Sequence, residues 1–309
     1  MCNGLKCVHE EMSKMVLANG GQAIVFSSQK VFPFQECFFE FGSITKLYTA
    51  LAICSLISQN RLSFDDKVSG FFPELLEDSI DVTVLDLLHM NPALTDYVND
   101  PQHYYVKESQ KYSDARKLYE YLNNILDQND EERIRELVMS SMLHHLKTAE
   151  KQNTMGYSNT NYYLLGQIIQ KSSGKDYYDY LVENGILLSP VQPKLTDRTW
   201  PMSFSHSACG LRGTFWDIIH LYRQIFCNKW NYRNLLLADN RNTEEPQYLI
   251  GVKKRGDWYF HDGKMPAAKT IIGFNVKKDI CFCAYTKDMG TYTVDECFRI
   301  IYRYERERG

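Results

Sequence analysis

The chain has 309 residues, 44% of them hydrophobic and 24% charged, with a formal net charge of -3. It is long enough for one large domain or two ordinary ones, and the near-neutral charge gives no electrostatic case for a nucleic-acid partner. No apolar run reaches the roughly 18 residues of a membrane-spanning helix, and residues 1–19 lack the apolar block of a signal peptide, so no membrane partner and a cytoplasmic location are expected.

Leu5, Val8, Met12, Met15 and Val16 recur at helical spacing and predict an amphipathic first helix, ended by Asn19-Gly20-Gly21. Residues 22–26 and 36–40 read as two strands joined by a turn at 27–30. A turn at Phe41-Gly42 then enters a helix over 43–59. From Leu47 to Ile57 that helix is apolar on nearly every side, which predicts burial. After a loop-like passage, Thr83 reads as the cap of a short helix over 84–90 that stops before Asn91-Pro92. The middle of the chain carries helical patterns at 117–126, 131–146, 162–171, 176–183 and 215–226, the last capped by Thr214. Strand patterns return at 247–253, 257–261, 267–276 and 279–286, with turns at 254–256 and 277–279. Val294, Cys297, Phe298, Ile301 and Tyr304 mark a last helix. The nine cysteines are scattered and expected to be reduced, and Cys281-Phe282-Cys283 is read as turning its thiols to opposite sides of a strand, against a metal pair. The organisation is α+β. Residues 1–59 and 245–309 together form a sheet domain flanked by the terminal helices, and 60–244 form a mostly helical insertion.

Three short elements carry candidate chemistry. Ser43 and Lys46 lie three apart on one helical face, with the serine at the helix N-terminus. Those are the conditions for an activated nucleophile with its own backbone N–H as an oxyanion donor. Alone, the same tetrapeptide also fits a helix cap followed by a surface lysine. Tyr157 and Asn159, two apart before a helix, point to one side. The phenol can exchange a proton with Ser43 if a nearby ammonium lowers its pKa, and the amide can donate to a substrate carbonyl. The plain alternative is a helix cap beside a half-buried tyrosine. His261-Asp262-Gly263-Lys264 sits at a strand edge. Gly263 there lets a substrate backbone approach, and the Lys264 N–H is a candidate second oxyanion donor; His261 also fits an ordinary structural histidine.

In this order, Ser-x-x-Lys, Tyr-x-Asn and His-x-Gly resemble the serine β-lactamase and penicillin-binding-protein superfamily, in the branch of the class C β-lactamases and D-alanyl-D-alanine carboxypeptidases with their esterases and D-amino-acid peptidases. The passages Leu62-Ser63-Phe64-Asp65-Asp66, 82–89 and 207–217 are similar to further segments of that branch. The resemblance implies a β-lactamase/transpeptidase-like fold with an antiparallel sheet. It also implies Ser43 as the acylated nucleophile, Lys46 as base or holder of the proton network, and Tyr157 as the second acid–base partner. Asn159 would orient the substrate and Lys46. His261 would supply a positive or polar group near a substrate carboxylate, with Gly263 and Lys264 along the substrate edge. No metal or organic cofactor is implied. Three departures stand out: Met90-Asn91-Pro92 where the family has Thr-Ser-Gly, Ala267 in place of a glycine, and Tyr285-Thr286-Lys287 where a strand often ends in Asn. The function implied is a serine hydrolase acting through an acyl-enzyme on a small ester, amide or peptide, as an esterase or a D-amino-acid peptidase or carboxypeptidase. The alternatives are a β-lactamase, an acyltransferase, or a non-catalytic ligand-binding relative. Oligomeric state is not readable from this sequence.

Overall fold

The computed structural model describes residues 4–17, 20–73, 82–91, 94, 96–97, 156–188, 202–239, 247–265, 268–287 and 294–306. The helices expected at 117–126 and 131–146 lie outside them, as does Ala267. In chain order the described elements begin with α1 (Leu5–Leu17), β1 (Gln22–Phe26), β2 (Phe39–Glu40), a 3-10 turn (Gly42–Ile44) and α2 (Thr45–Ser58). Next come α3 (Val68–Phe71), α4 (Val84–His89), α5 (Asn159–Ser173), α6 (Tyr177–Glu183) and α7 (Met202–Cys209). They continue as β3 (Arg212–Gly213), α8 (Phe215–Phe226), α9 (Tyr232–Ala238), β4 (Gln247–Tyr248) and β5 (Lys253–Arg255). The chain closes with β6 (Trp258–Met265), β7 (Ala268–Asn275), β8 (Ile280–Thr286) and α10 (Val294–Arg306).

The main sheet has the order β1-β8-β7-β6-β5-β4, and every neighbouring pair is antiparallel. Side chains alternate across a strand, so each strand feeds two cores. Ala23, Val25, Phe282 and Ala284 face the terminal helices, where Val8, Met12, Phe298 and Ile301 close over them. Ile24, Phe26, Cys281, Cys283 and Tyr285 face the larger core around α2. Cys281 and Cys283 therefore share a face, as residues two apart on a strand must, which corrects the expectation of opposite sides. Cys7 is disulfide-bonded, another departure, while Cys37, Cys54, Cys209, Cys227, Cys281, Cys283 and Cys297 are free thiols.

Every α2 residue from Thr45 to Leu56 is buried, because the helix packs against α5 and α7 and shares the larger core with the sheet residues Ile24, Ile272, Phe274 and Cys283. The architecture is mixed α+β with an antiparallel sheet, as the resemblance implies. Capping boxes at Thr83/Asp86 and Thr214/Asp217 start α4 and α8 where the sequence predicts. Two strand expectations need correction. Of 36–40 only Phe39–Glu40 is a strand, and it pairs with Arg212–Gly213 rather than with β1. Of 247–253 the two ends form β4 and β5, while Leu249, Ile250 and Val252 between them are buried in a turn closed by Leu249 N–H on Val252 O at 2.7 Å. A Cβ on Gly251 (φ +78) would lie 2.9 Å from Lys46 O, so this turn packs directly on α2. A continuous apolar stretch buried on all sides has no need of the pleat that its composition suggests.

Candidate active site

The turn before α2 is pinned from two directions. Phe41 N–H donates to Leu211 O at 2.9 Å, and Leu211 N–H donates to Thr45 Oγ1 at 3.1 Å. From the sheet side, Thr270 Oγ1 donates to Phe41 O at 2.8 Å. Two glycines let β6 close onto this turn. Gly42 takes φ +54, and a Cβ there would be 3.1 Å from Lys264 N. A Cβ on Gly263 would be 2.4 Å from Phe41 O and 3.0 Å from Ser43 N. The backbone nitrogens of Ser43 and Lys264 thus sit at one junction, beside the half-buried Ser43 hydroxyl; the Lys264 side chain is exposed.

Lys46 is fully buried, and its Nζ has three partners. It lies 3.1 Å from Ser43 Oγ, 2.8 Å from Asn159 Oδ1 and 2.8 Å from Ala208 O. Asn159 Oδ1 and the carbonyl can only accept. A neutral amine spends its two N–H groups on these acceptors and leaves its lone pair facing Ser43 Oγ. Burial pushes the Lys46 pKa down to about 8, against the raising influence of Cys209 and Asp96, with the nearby Lys253 charge lowering it further.

Asn159 is the first residue of α5, and its Nδ2 donates to both carboxylate oxygens of Asp96, at 3.2 and 3.0 Å. The amide N–H groups expected to meet a substrate carbonyl are therefore directed at Asp96, and Asn159 acts on Lys46. Asp96 had no motif to announce it. It is carried onto the start of α5 by Leu94 N–H on Asn161 Oδ1 (2.9 Å) and Tyr97 N–H on Thr160 Oγ1 (3.1 Å).

Tyr157 is 42% exposed, yet its hydroxyl donates to Ser43 Oγ at 2.7 Å. Lys46 Nζ lies 4.8 Å from the centre of its ring. The expected lowering of the phenol pKa by an ammonium is not found. Desolvation raises it well above the usual value, with only the Ser43 hydrogen bond pulling it down, so Tyr157 is a protonated donor.

His261 is 1% exposed, with Nδ1 2.8 Å from Asp262 O and its ring 6.1 Å from that of Tyr157. Burial, then the Lys253 charge, hold it neutral, well below the usual histidine range. The position offers a polar group and no charge. The cation at this end of the cleft is Lys253, unpredicted from sequence, whose Nζ is 2.6 Å from Asp262 Oδ1 and 6.0 Å from the Tyr157 ring centre. The structure brings the seven residues named from sequence, Ser43, Lys46, Tyr157, Asn159, His261, Gly263 and Lys264, close together between β6 and the helical side. Among the described residues no group of three or more His, Cys, Asp or Glu is arranged to hold a metal ion.

A buried Ser-x-x-Lys helix, a tyrosine on the serine and a glycine-edged strand across the cleft define a member of the serine β-lactamase and penicillin-binding-protein superfamily. Residues 15–186 match the Beta-lactamase family model, and the chain belongs to that family. Protein flp of Staphylococcus aureus (strain MW2) is 29% identical over 162 residues, which cover 51% of this chain and 27% of that protein, so the match spans about a quarter of this curated relative. Among solved structures, the octameric penicillin-binding protein homologue from Pyrococcus abyssi superposes with a TM-score of 0.75 at 16% identity, covering 98% of this chain and 77% of the other. The D-amino acid amidase from Ochrobactrum anthropi SV3, complexed with L-phenylalanine amide, gives 0.72 at 16% identity, over 99% and 100%. No helix among the described residues is long and apolar enough to cross a membrane.

Proposed function

We propose that the protein is a serine hydrolase that forms an acyl-enzyme on Ser43 and acts on a small amide or ester, with D-amino-acid amides and peptides the first substrates to test. One observation carries the reading: a fully buried Lys46 whose Nζ meets two pure acceptors and Ser43 Oγ. Near pH 8 a substantial fraction of Lys46 is neutral, and its lone pair takes the Ser43 proton. Ser43 Oγ then bonds to the substrate carbonyl carbon, and the oxyanion is met by the N–H groups of Ser43 and Lys264. The Tyr157 hydroxyl gives its proton to the leaving amine or alcohol as the tetrahedral bond breaks. The Tyr157 phenolate then takes a proton from the water that attacks the acyl carbon, and Lys46 returns its proton to Ser43 Oγ as the ester bond breaks, which restores all three groups. The amidase and penicillin-binding homologues that share the fold support the substrate class.

The test is incubation with a fluorophosphonate and with a D-amino-acid p-nitroanilide panel, followed by intact mass and peptide mapping. A single adduct on Ser43, formed faster as pH rises through about 8, is expected. Absence of any adduct on the folded protein, or an adduct that persists in Ser43→Ala, overturns the reading.

A further inference from the structure

The third partner of Lys46, the Ala208 carbonyl, is delivered by a turn with an unusual backbone. Within α7, His206 has φ 37 and ψ -138, which interrupts the helix in a region that side chains with a Cβ rarely adopt. Such a conformation persists only where its surroundings over-determine it, and it points to a functional constraint. Here the surroundings are specific. His206 is 4% exposed, and its ring lies 5.3, 4.9 and 5.5 Å from those of Tyr163, Tyr177 and Tyr178. Its Nδ1 is 3.0 Å from Ser207 Oγ, which donates to Tyr162 O at 2.8 Å. Helix α5 makes room for the turn: a Cβ on Gly166 would lie 2.0 Å from Ser207 Oγ and 2.9 Å from His206 Nδ1. Gly210 N–H closes the turn on His206 O at 2.7 Å.

The result falls on the two carbonyls that follow. Ser207 O accepts from Thr49 Oγ1 at 2.7 Å, and Ala208 O accepts from Lys46 Nζ at 2.8 Å. Thr49 and Lys46 are three apart, on one face of α2. A relaxed helical backbone at 206 would carry both carbonyls elsewhere. We propose that His206 is a positioning residue for the acylation reaction, resting on the reading of Ser43 and Lys46 given above. Its ring, wedged among three tyrosines and bonded to Ser207, holds the strained turn that seats the Ala208 carbonyl on Lys46. That seat consumes one N–H of Lys46 and thereby aims the lone pair at Ser43. It also stabilises the ammonium form, so its loss shifts the Lys46 pKa further down.

The experiment compares wild type, His206→Ala and His206→Asn. Asparagine keeps a Cβ and carries an amide that can replace the Nδ1 hydrogen bond to Ser207, which alanine cannot. The pKa of Lys46 is read from an NMR titration of protein labelled at lysine Cε, and the fluorophosphonate labelling rate is read against pH. His206→Ala is expected to lower the Lys46 pKa by about half a unit or more and to slow labelling by about 10- to 100-fold, with His206→Asn recovering most of both. A folded His206→Ala protein with wild-type Lys46 pKa and labelling within twofold overturns the proposal, and so does an asparagine variant no better than alanine. Should His206→Ala fail to fold, Ser207→Ala keeps the ring and removes its link to the turn together with the Ser207 hydrogen bond to α5. A downward shift of the Lys46 pKa there supports the proposal, and an unchanged value overturns it. If the wild type takes no label at any pH, the hydrolase reading fails by itself, and the NMR titration still decides the role of His206.

Discussion

The two walls of the cleft are built on opposite principles. On the helical wall, Lys46, Asn159 and the 206–211 turn are buried, and their polar atoms bond to one another across α2, α5 and α7. On the sheet wall, Lys253 and Asp262 are partly open to solvent, while His261 is sealed in. Water screens charges on the open wall, whereas the dry wall turns desolvation into a depressed lysine pKa. On the proposed reading, proton transfer belongs to the helical wall and recognition of the substrate to the sheet wall. The glycine junction at Gly42 and Gly263 is where the two are held in register.

Ser43→Ala tests the assignment most severely. Labelling and turnover should fall by about 10⁴-fold or more, because only binding and the oxyanion donors remain, and a stopped assay with intact mass reads it. Lys46→Met should cost about 10³-fold and abolish the rise of rate with pH through about 8 that the wild type is expected to have. A Lys46→Met protein that keeps that pH dependence would move the base to another group. Gly263→Ala attacks the junction. Its Cβ would meet Thr270 Oγ1 at 2.3 Å and Phe41 O at 2.4 Å, so the walls must part. A loss of about 10²-fold in rate and of about 1–3 kcal/mol in stability is expected from kinetics and denaturant melts of the variant.

Glu40, on the strand that leads into the Ser43 turn, probes burial through stability. It is buried beside Arg212, and burial lifts its pKa to about 7 from an ordinary 4.5, with Arg212 pulling the other way. A raised folded-state pKa means that the native protein binds this proton more tightly than the unfolded chain does. The contribution is whole below about pH 4.5 and is lost as pH rises through about 7. Glu40→Gln removes that loss. Its stability relative to wild type should improve by about 2 kcal/mol between pH 5 and pH 8, measured by urea unfolding at each pH. The smallest effect is expected on the open wall. Lys253→Met should change KM by less than about tenfold, leave kcat within a few-fold, and move the acid limb slightly upward, since a positive charge near Lys46 is gone. A fall in kcat as deep as that of Lys46→Met would erase the division between the walls.

Much of this molecule follows from short-range sequence rules. The all-round apolar run made α2 a buried helix, capping boxes placed the starts of α4 and α8, and period-two patterns marked the β6 to β8 meander. Ser43 and Lys46 are legible together because one helical turn joins them, and the other named site residues fell in recognisable short patterns. The rest depended on pairings between distant parts of the chain. Strand β2 found its partner at 212–213, the 249–252 run turned inward to cover α2, and Lys46 reached Asn159 and Ala208 across 113 and 162 positions. Ala208 contributes a backbone carbonyl, which every residue has and no residue type announces. Asp96, Lys253 and His206 matter through where the fold sets them, and the pKa of Lys46 comes from its burial. The reactive groups are written in the sequence; their dryness, spacing and orientation exist only once α2 is enclosed between sheet and helices.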